Sequence, residues 1–229
     1  DTQVRHLYGQ SARWDTVARN DLRLALSKPA DSTRYQYLNQ WVYSQEATGA
    51  VINVALLPSA GFLYTTMTIN WTGWKLVSLP LSNFTPGYEP NAANILQLEY
   101  ASTGWEATPV PGTVLHLERI WLSETIPADP QVSATVPQSG RSDLPILEPR
   151  VEIHYDDVLY PGQPLEKYIS VTENGEPYTQ YEIETKGSAL VVHFTQKLEE
   201  NAQYTVQVEK GMYGISGLVT SDSCELNFT

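Results

Sequence analysis

The segment YQYLNQWVYS, residues 35–44, reads as a β-strand with two partly apolar sides. Tyr37, Asn39, Trp41 and Tyr43 point one way along an extended chain, and Leu38, Gln40 and Val42 point the other. The alternation identifies a strand but leaves open which side meets the core. Working outward, similar stretches follow at short intervals: VINVALL (51–57), FLYTTMTIN (62–70), WKLVSLPL (74–81), ILQLEY (95–100) and TVLHLERIWL (113–122). Turn signals separate them at 47–49, 59–61, 72–73, 86–87 and 111–112. DTVARNDLRLALS (15–27) could pass for a short helix, but Leu22, Leu24 and Leu26 alternate, which favours a strand. With a further strand near Arg13, this spacing predicts an all-β sandwich.

The chain of 229 residues changes character near Ile126 and Pro127. All six tryptophans lie at or before position 121, and residues 1–126 carry a net charge of −2 against −10 for residues 127–229. IPADPQVSATVPQSG, at the junction, is rich in Pro and Ser and lacks apolar periodicity, as an interdomain boundary does. Beyond it, RVEIHYDD (150–157), KYISVTENGEPY (167–178), QYEIETKGSALVVHFTQ (180–196), AQYTVQVEKG (202–211) and CELNFT (224–229) are strand-like. Glu-Asn-Gly (173–175) and Lys-Gly-Ser (186–188) mark hairpin turns. About seven strands in roughly 100 residues predict an immunoglobulin-like sandwich.

Composition excludes several classes of function. A net charge of −12 argues against nucleic acid and anionic membrane surfaces, because both need a basic footprint. No apolar run reaches the ~18 residues of a membrane helix, so membrane insertion is not expected. A lone cysteine, Cys224, forms no intrachain disulfide and reads as a small buried side chain. The four histidines (6, 116, 154 and 193) are scattered without metal-ligand spacing, no Gly-rich phosphate loop is present, and adjacent acids such as Asp156–Asp157 point apart on a strand. The chain is therefore expected to be non-catalytic, with no required cofactor. It is expected to be a mature chain or a fragment cut from a longer protein.

Two resemblances sharpen this. PADPQVSATVPQSGRSDLPI (127–146), VEIHYDDVL (151–159) and LEENAQYTVQVEKGMYGISG (198–217) resemble the bacterial Ig-like domain of S-layer proteins and multimodular secreted enzymes. SARW (11–14), YLNQWVYS (37–44), WTGWKLVSLPLSNF (71–84) and LHLERIWL (115–122) resemble the β-jelly-roll carbohydrate-binding modules appended to bacterial polysaccharide lyases of the heparinase II/III type. The resemblances imply a jelly-roll module over 1–126 and an Ig-like domain over 127–229. They imply an extracellular or cell-surface bacterial location and a polysaccharide partner, acidic ones included. They also imply a parent lyase or glycoside hydrolase whose other domains carry the chemistry. The alternative is a structural spacer or adhesion module without a sugar site. Glu118 stands where many such modules place an aspartate that helps bind calcium, so the resemblance raises a structural Ca²⁺ held by Glu118 and the loop at Asp15.

Aromatic side chains are the natural sugar contacts, since ring faces stack on pyranose faces while polar neighbours bond the hydroxyls. Trp105, in the polar loop YASTGWEATPVPG (100–112), is the leading candidate, because a loop offers few ways to bury an indole. Tyr88 and Tyr64 flank turns in the same manner. Trp41 and Tyr43, with Asn39 for hydrogen bonding, make a second candidate face that could equally be core. Trp71 and Trp74, three positions apart around Thr-Gly, are favoured as turn packing over sugar stacking. The early arginines (5, 13, 19, 23 and 34) alternate with acids and read as mixed surface, although a guanidinium suits an acidic sugar.

Overall fold

In the first half of the chain the strands are β1 (Ala12–Trp14), β2 (Leu22–Ala30), β3 (Tyr37–Ser44), β4 (Val51–Pro58), β5 (Leu63–Thr68), β6 (Gly73–Pro80), β7 (Thr85–Pro86), β8 (Ile95–Ala101) and β9 (Leu115–Ser123). The structure, a computed structural model, describes residues 6–15, 17, 21–140 and 149–229. Arg5, Arg19 and the RSDLPI stretch (141–146) lie outside the described residues. The chain divides into two units, Asp1–Pro127 and Ala128–Thr229.

The first unit is a jelly roll. One antiparallel sheet has the order β1-β9-β3-β6 and the other β2-β8-β4-β5-β7, so successive strands pass repeatedly from sheet to sheet. The stretch 35–44 resolves accordingly. Leu38 and Val42 enter the core with Ile52, Val54 and Leu56 of β4, Leu98 and Tyr100 of β8, and Leu115 and Leu117 of β9. A fully buried aliphatic side chain of this kind contributes about 2 kcal/mol. Gln40 shares that inner face and is fully buried, with its carbonyl accepting the Tyr100 hydroxyl. Trp41 and its strand-face partners therefore point to the outside of the sheet.

A register shift falls between Gln40 and Trp41, where β3 pairs with Ile120 and then Glu118 of β9. Arg119 is the extra residue and has φ of 45°. The apolar phase of β9 changes with it: Leu115 and Leu117 face inward before the bulge, Ile120 and Leu122 after it. The bulge leaves Glu118 and Trp121 on the outer face.

The second unit contains β10 (Val132–Val136), β11 (Arg150–Tyr155), β12 (Ile169–Glu173), β13 (Glu176–Pro177), β14 (Tyr181–Lys186), β15 (Ala189–Phe194), β16 (Tyr204–Val208) and β17 (Cys224–Phe228). Its sheets run β10-β11-β15-β14 and β13-β12-β16-β17, the immunoglobulin arrangement. Tyr204, at the start of β16, accepts the Glu199 N–H at 3.0 Å and donates to Glu173, forming the tyrosine corner typical of such sandwiches. Burial and the Glu173 carboxylate push its phenol up to about 12. The strand β10 stands where the sequence predicts linker. It is an exposed edge strand, so it carries no apolar alternation to reveal it.

Candidate functional site

The jelly roll carries aromatic side chains on both outer faces, and the two faces are organised differently. On the sheet β2-β8-β4-β5-β7, inward Leu63 and Met67 leave Tyr64 pointing outward from β5. Phe62, just before β5, and Trp105, from the loop after β8, complete a slab. Trp105 lies 4.7 Å from Phe62 and 5.1 Å from Tyr64, at 26° to each. Phe62 and Tyr64 are only 6.1 Å apart, too close for the indole to stand between them. Both therefore lie beneath one face of the indole, and Trp105 keeps 40% of its surface exposed. Each such ring pair contributes about 1 kcal/mol beyond simple burial.

The loop presents this indole in a strained turn. Trp105 and Glu106 have φ of 38° and 70°, and the Ala107 N–H donates to the Gly104 carbonyl at 2.8 Å. This is the backbone of a type I′ turn, in which Asn-Gly would be at ease and Trp-Glu costs about 1 kcal/mol per residue. Asn53, the polar residue inside VINVALL, holds it. Asn53 is fully buried, and its amide donates to the carbonyls of Gly104 at 2.5 Å and Thr103 at 3.4 Å. Tyr88, on a neighbouring loop, is 78% exposed. Gly61 and Gly87 bring its loop close: a Cβ on Gly61 would collide with the Tyr88 carbonyl, and one on Gly87 with the Phe62 ring.

Polar groups continue from the slab across the sheet. In register, Tyr64 opposes Ala55, Ala55 opposes Glu99, and Glu99 opposes Arg23. With strands about 4.8 Å apart, the backbones of Tyr64 and Arg23 stand roughly 14 Å apart across this row. Arg23 donates to one Glu99 oxygen through Nε at 2.9 Å and Nη2 at 2.8 Å. The Arg23 side chain stays largely exposed while Glu99 is buried beside it. That hydrogen bond and the Glu99 charge raise the guanidinium above its ordinary value.

The opposite sheet, β1-β9-β3-β6, carries Trp41, Tyr43, Trp74 and Asn39, but the chain itself lies over it. His6 stacks on Trp41 at 4.0 Å and 17°, and meets the edge of Trp74 at 5.6 Å. Glu118, beside Trp41 in register, accepts the N–H groups of His6, Leu7 and Tyr8 at 2.7–2.8 Å. Arg119 is sandwiched between the rings of Tyr8 and Trp121. Trp41 is consequently only 8% exposed. Tyr43 packs edge-on against Trp74 and His116, and Asn39 is buried with its amide donating to Ser123 at 2.8 Å. Trp71 packs on the core, donates its indole N–H to the Val42 carbonyl at 3.3 Å, and sits under Lys75.

The sequence candidates thus separate into two groups. Trp105 and Tyr64 stack together, with Tyr88 on a neighbouring loop; Trp41, Tyr43 and Asn39 lie on the other face, Trp41 beneath His6. Phe62 and Asn53 are additions that the sequence reading omits. Glu118 and Asp15 are engaged separately: the Glu118 oxygens face three N–H donors, and Asp15 is exposed and pairs with Arg13 at 3.4 Å. Converging N–H dipoles thus supply positive partial charge to the Glu118 carboxylate. Among the described residues, no group of three or more His, Cys, Asp or Glu side chains is placed to hold a metal.

Comparison with known proteins bears on the second unit. Residues 127–229 match the bacterial Ig-like domain family. No curated protein matches the chain. Among solved structures, a glycoside hydrolase domain of Endo-D from Streptococcus pneumoniae R6 aligns with 96% of this chain at 13% identity and a TM-score of 0.39; the match spans 33% of that chain.

In the Ig-like domain two histidines pair with glutamates. His154 meets Glu152 at 3.1 Å and His193 meets Glu184 at 2.9 Å, on separate strands. Cys224 is half-buried, and burial pushes its thiol up, away from the reactive thiolate. None of the described helices is long and apolar enough to cross a membrane.

Proposed function

We propose that the jelly roll is a carbohydrate-binding module and that the Ig-like domain supports it within a larger bacterial polysaccharide-degrading enzyme acting outside the cell. One observation carries this reading: the Trp105 indole, backed on one face by Phe62 and Tyr64, is held in a strained turn with its other face toward solvent. A rigid ring loses little entropy when a ligand stacks on it, which is the cost that weak sugar binding must overcome. Strain of this kind persists where the surroundings over-determine it, and it gathers at ligand sites. The exposed Arg23 guanidinium, three strands along the same row, suits the carboxylates or sulfates of an acidic polysaccharide. Binding at one such platform is weak, and tethering to the polymer through a parent enzyme multiplies it.

Affinity electrophoresis of the whole chain through gels containing neutral and acidic polysaccharides tests the proposal. At least one glycan retards the protein, and Trp105→Ala weakens that retardation by about tenfold, equivalent to about 1.4 kcal/mol, with circular dichroism unchanged. Arg23→Gln weakens retardation by acidic glycans only. Retardation by no glycan, with the chain folded, leaves the spacer reading in its place.

A further inference from the structure

A second site lies between the sheets of the jelly roll, away from the aromatic slab. The ladder between β2 and β8 breaks there: Ala25 pairs with Gln97, and the next pair is Ala30 with Ile95. Residues 26–29 on β2 therefore face the single residue 96 on β8, and the edge strand bows outward. Pro29, within the bow, has no N–H to return to the ladder. Beneath it opens a cavity of about 390 Å³. Its walls come from five strands and include the core side chains Leu38, Leu56, Ile95 and Leu98. This is the size and lining of a small-molecule pocket.

The mouth differs from the walls. Leu26 and Tyr35 lie there with 40% and 38% of their surface exposed, beside Asp31 and Arg34. The Asp31 carboxylate is fully used. One oxygen accepts the Thr33 N–H and hydroxyl, at 3.0 and 2.6 Å, and the other faces Arg34 Nε at 3.3 Å. Those bonds leave the two terminal nitrogens of Arg34 directed elsewhere, on a side chain that is 80% exposed. An apolar interior under a rim where Arg34 keeps two terminal nitrogens beyond its pair with Asp31 fits an apolar body with an anionic head.

We propose that this cavity binds a small amphiphilic anion, with its hydrocarbon inside between the sheets and its carboxylate or sulfonate at Arg34. The site is independent of the slab: its ligand enters beneath a bowed strand rather than stacking on an outer face.

The test uses the whole chain with octanoate and with 8-anilinonaphthalene-1-sulfonate as probes. The fluorescent probe binds with a stoichiometry of one, and octanoate displaces it. Octanoate also shifts the methyl resonances of Leu38, Leu56 and Ile95. Ala30→Phe, which places a ring in the cavity, abolishes binding, and Arg34→Gln weakens it by about three- to fivefold, the range of an exposed ion pair. Trp105→Ala leaves it unchanged. Methyl shifts confined to other parts of the chain, or fluorescence indifferent to Arg34→Gln and to octanoate, would overturn the proposal. Should Ala30→Phe fail to fold, the Arg34 variant and the methyl shifts still decide.

Discussion

The two outer faces of the jelly roll use the same ring chemistry to opposite ends. On one, Trp41 and Trp74 are closed off by His6, and Glu118 fixes the covering segment through three backbone N–H groups. On the other, Phe62 and Tyr64 support a tryptophan whose far face is uncovered. An aromatic cluster on a sheet is therefore not in itself a ligand site. What separates the faces is whether the chain supplies its own stacking partner. His6 stands over Trp41 as a planar ligand would, and Glu118 holds the backbone behind it.

Trp41→Ala breaks the comparison most severely. Removing a nearly buried indole costs about 3–5 kcal/mol of stability, read by urea denaturation, while glycan retardation per folded molecule stays unchanged. A stable Trp41→Ala variant with lost retardation would move the ligand to the covered face. Glu118→Ala comes next. It deprives three N–H groups of a charged acceptor and costs about 3 kcal/mol, with faster hydrogen exchange at His6, Leu7 and Tyr8. The same residue sharpens the calcium question. If the N–H groups do the work of a cation, millimolar calcium and chelator leave the melting temperature equal. A rise with calcium would bring Asp15 and Glu118 together as ligands through binding linkage.

The open face responds less in stability and more in binding. Asn53→Ala removes the buried donor to the Gly104 carbonyl and costs about 1–2 kcal/mol. Because the Trp105 turn is then free to relax, retardation weakens although Trp105 is intact. Asn53→Asp, which cannot donate, behaves the same way. Trp105→Gly removes the ring and also the strain at φ of 38°. It loses about 1 kcal/mol less stability than Trp105→Ala, while both lose binding alike.

These contrasts also mark how much the sequence reveals. Strands were legible because Leu38 and Val42, or Leu115 and Leu117, alternate at period two. The bulge was legible in principle, since the apolar phase slips from odd to even positions across Arg119. The cover over Trp41 was not legible, because His6 supplies it from more than 30 residues upstream. Phe62 opens the strand-like stretch FLYTTMTIN, and because Phe62 and Tyr64 are two apart they share a face. Asn53 had a signal too, as the one polar side chain in VINVALL. That it faces a loop carbonyl, and not a ligand, depends on the path of residues 102–107. The cavity left no trace in hydropathy: Leu26 continues the alternation of β2 although the ladder has already broken there.

Acid separates the faces with the smallest expected effect. Burial lowers the imidazole of His6 below its ordinary 6.5, against an opposing pull from Glu118. Burial, with Arg13 nearby, lowers His116 as well. For either group the unfolded chain takes up its proton first as pH falls. Stability from the covered face is therefore complete above pH 6.5 and is lost progressively below it, toward the lowered folded values. Trp105 has no imidazole in its stack. Between pH 7.5 and 5.5, hydrogen exchange at residues 6–8, corrected for its intrinsic pH dependence, quickens, while exchange at the Ala107 N–H of the Trp105 turn does not. His6→Phe keeps a planar ring over Trp41 without a titrating group, and it removes the part of the change that belongs to His6. Equal acceleration at Ala107 would mean that the two faces open together and that the division between them is not energetic.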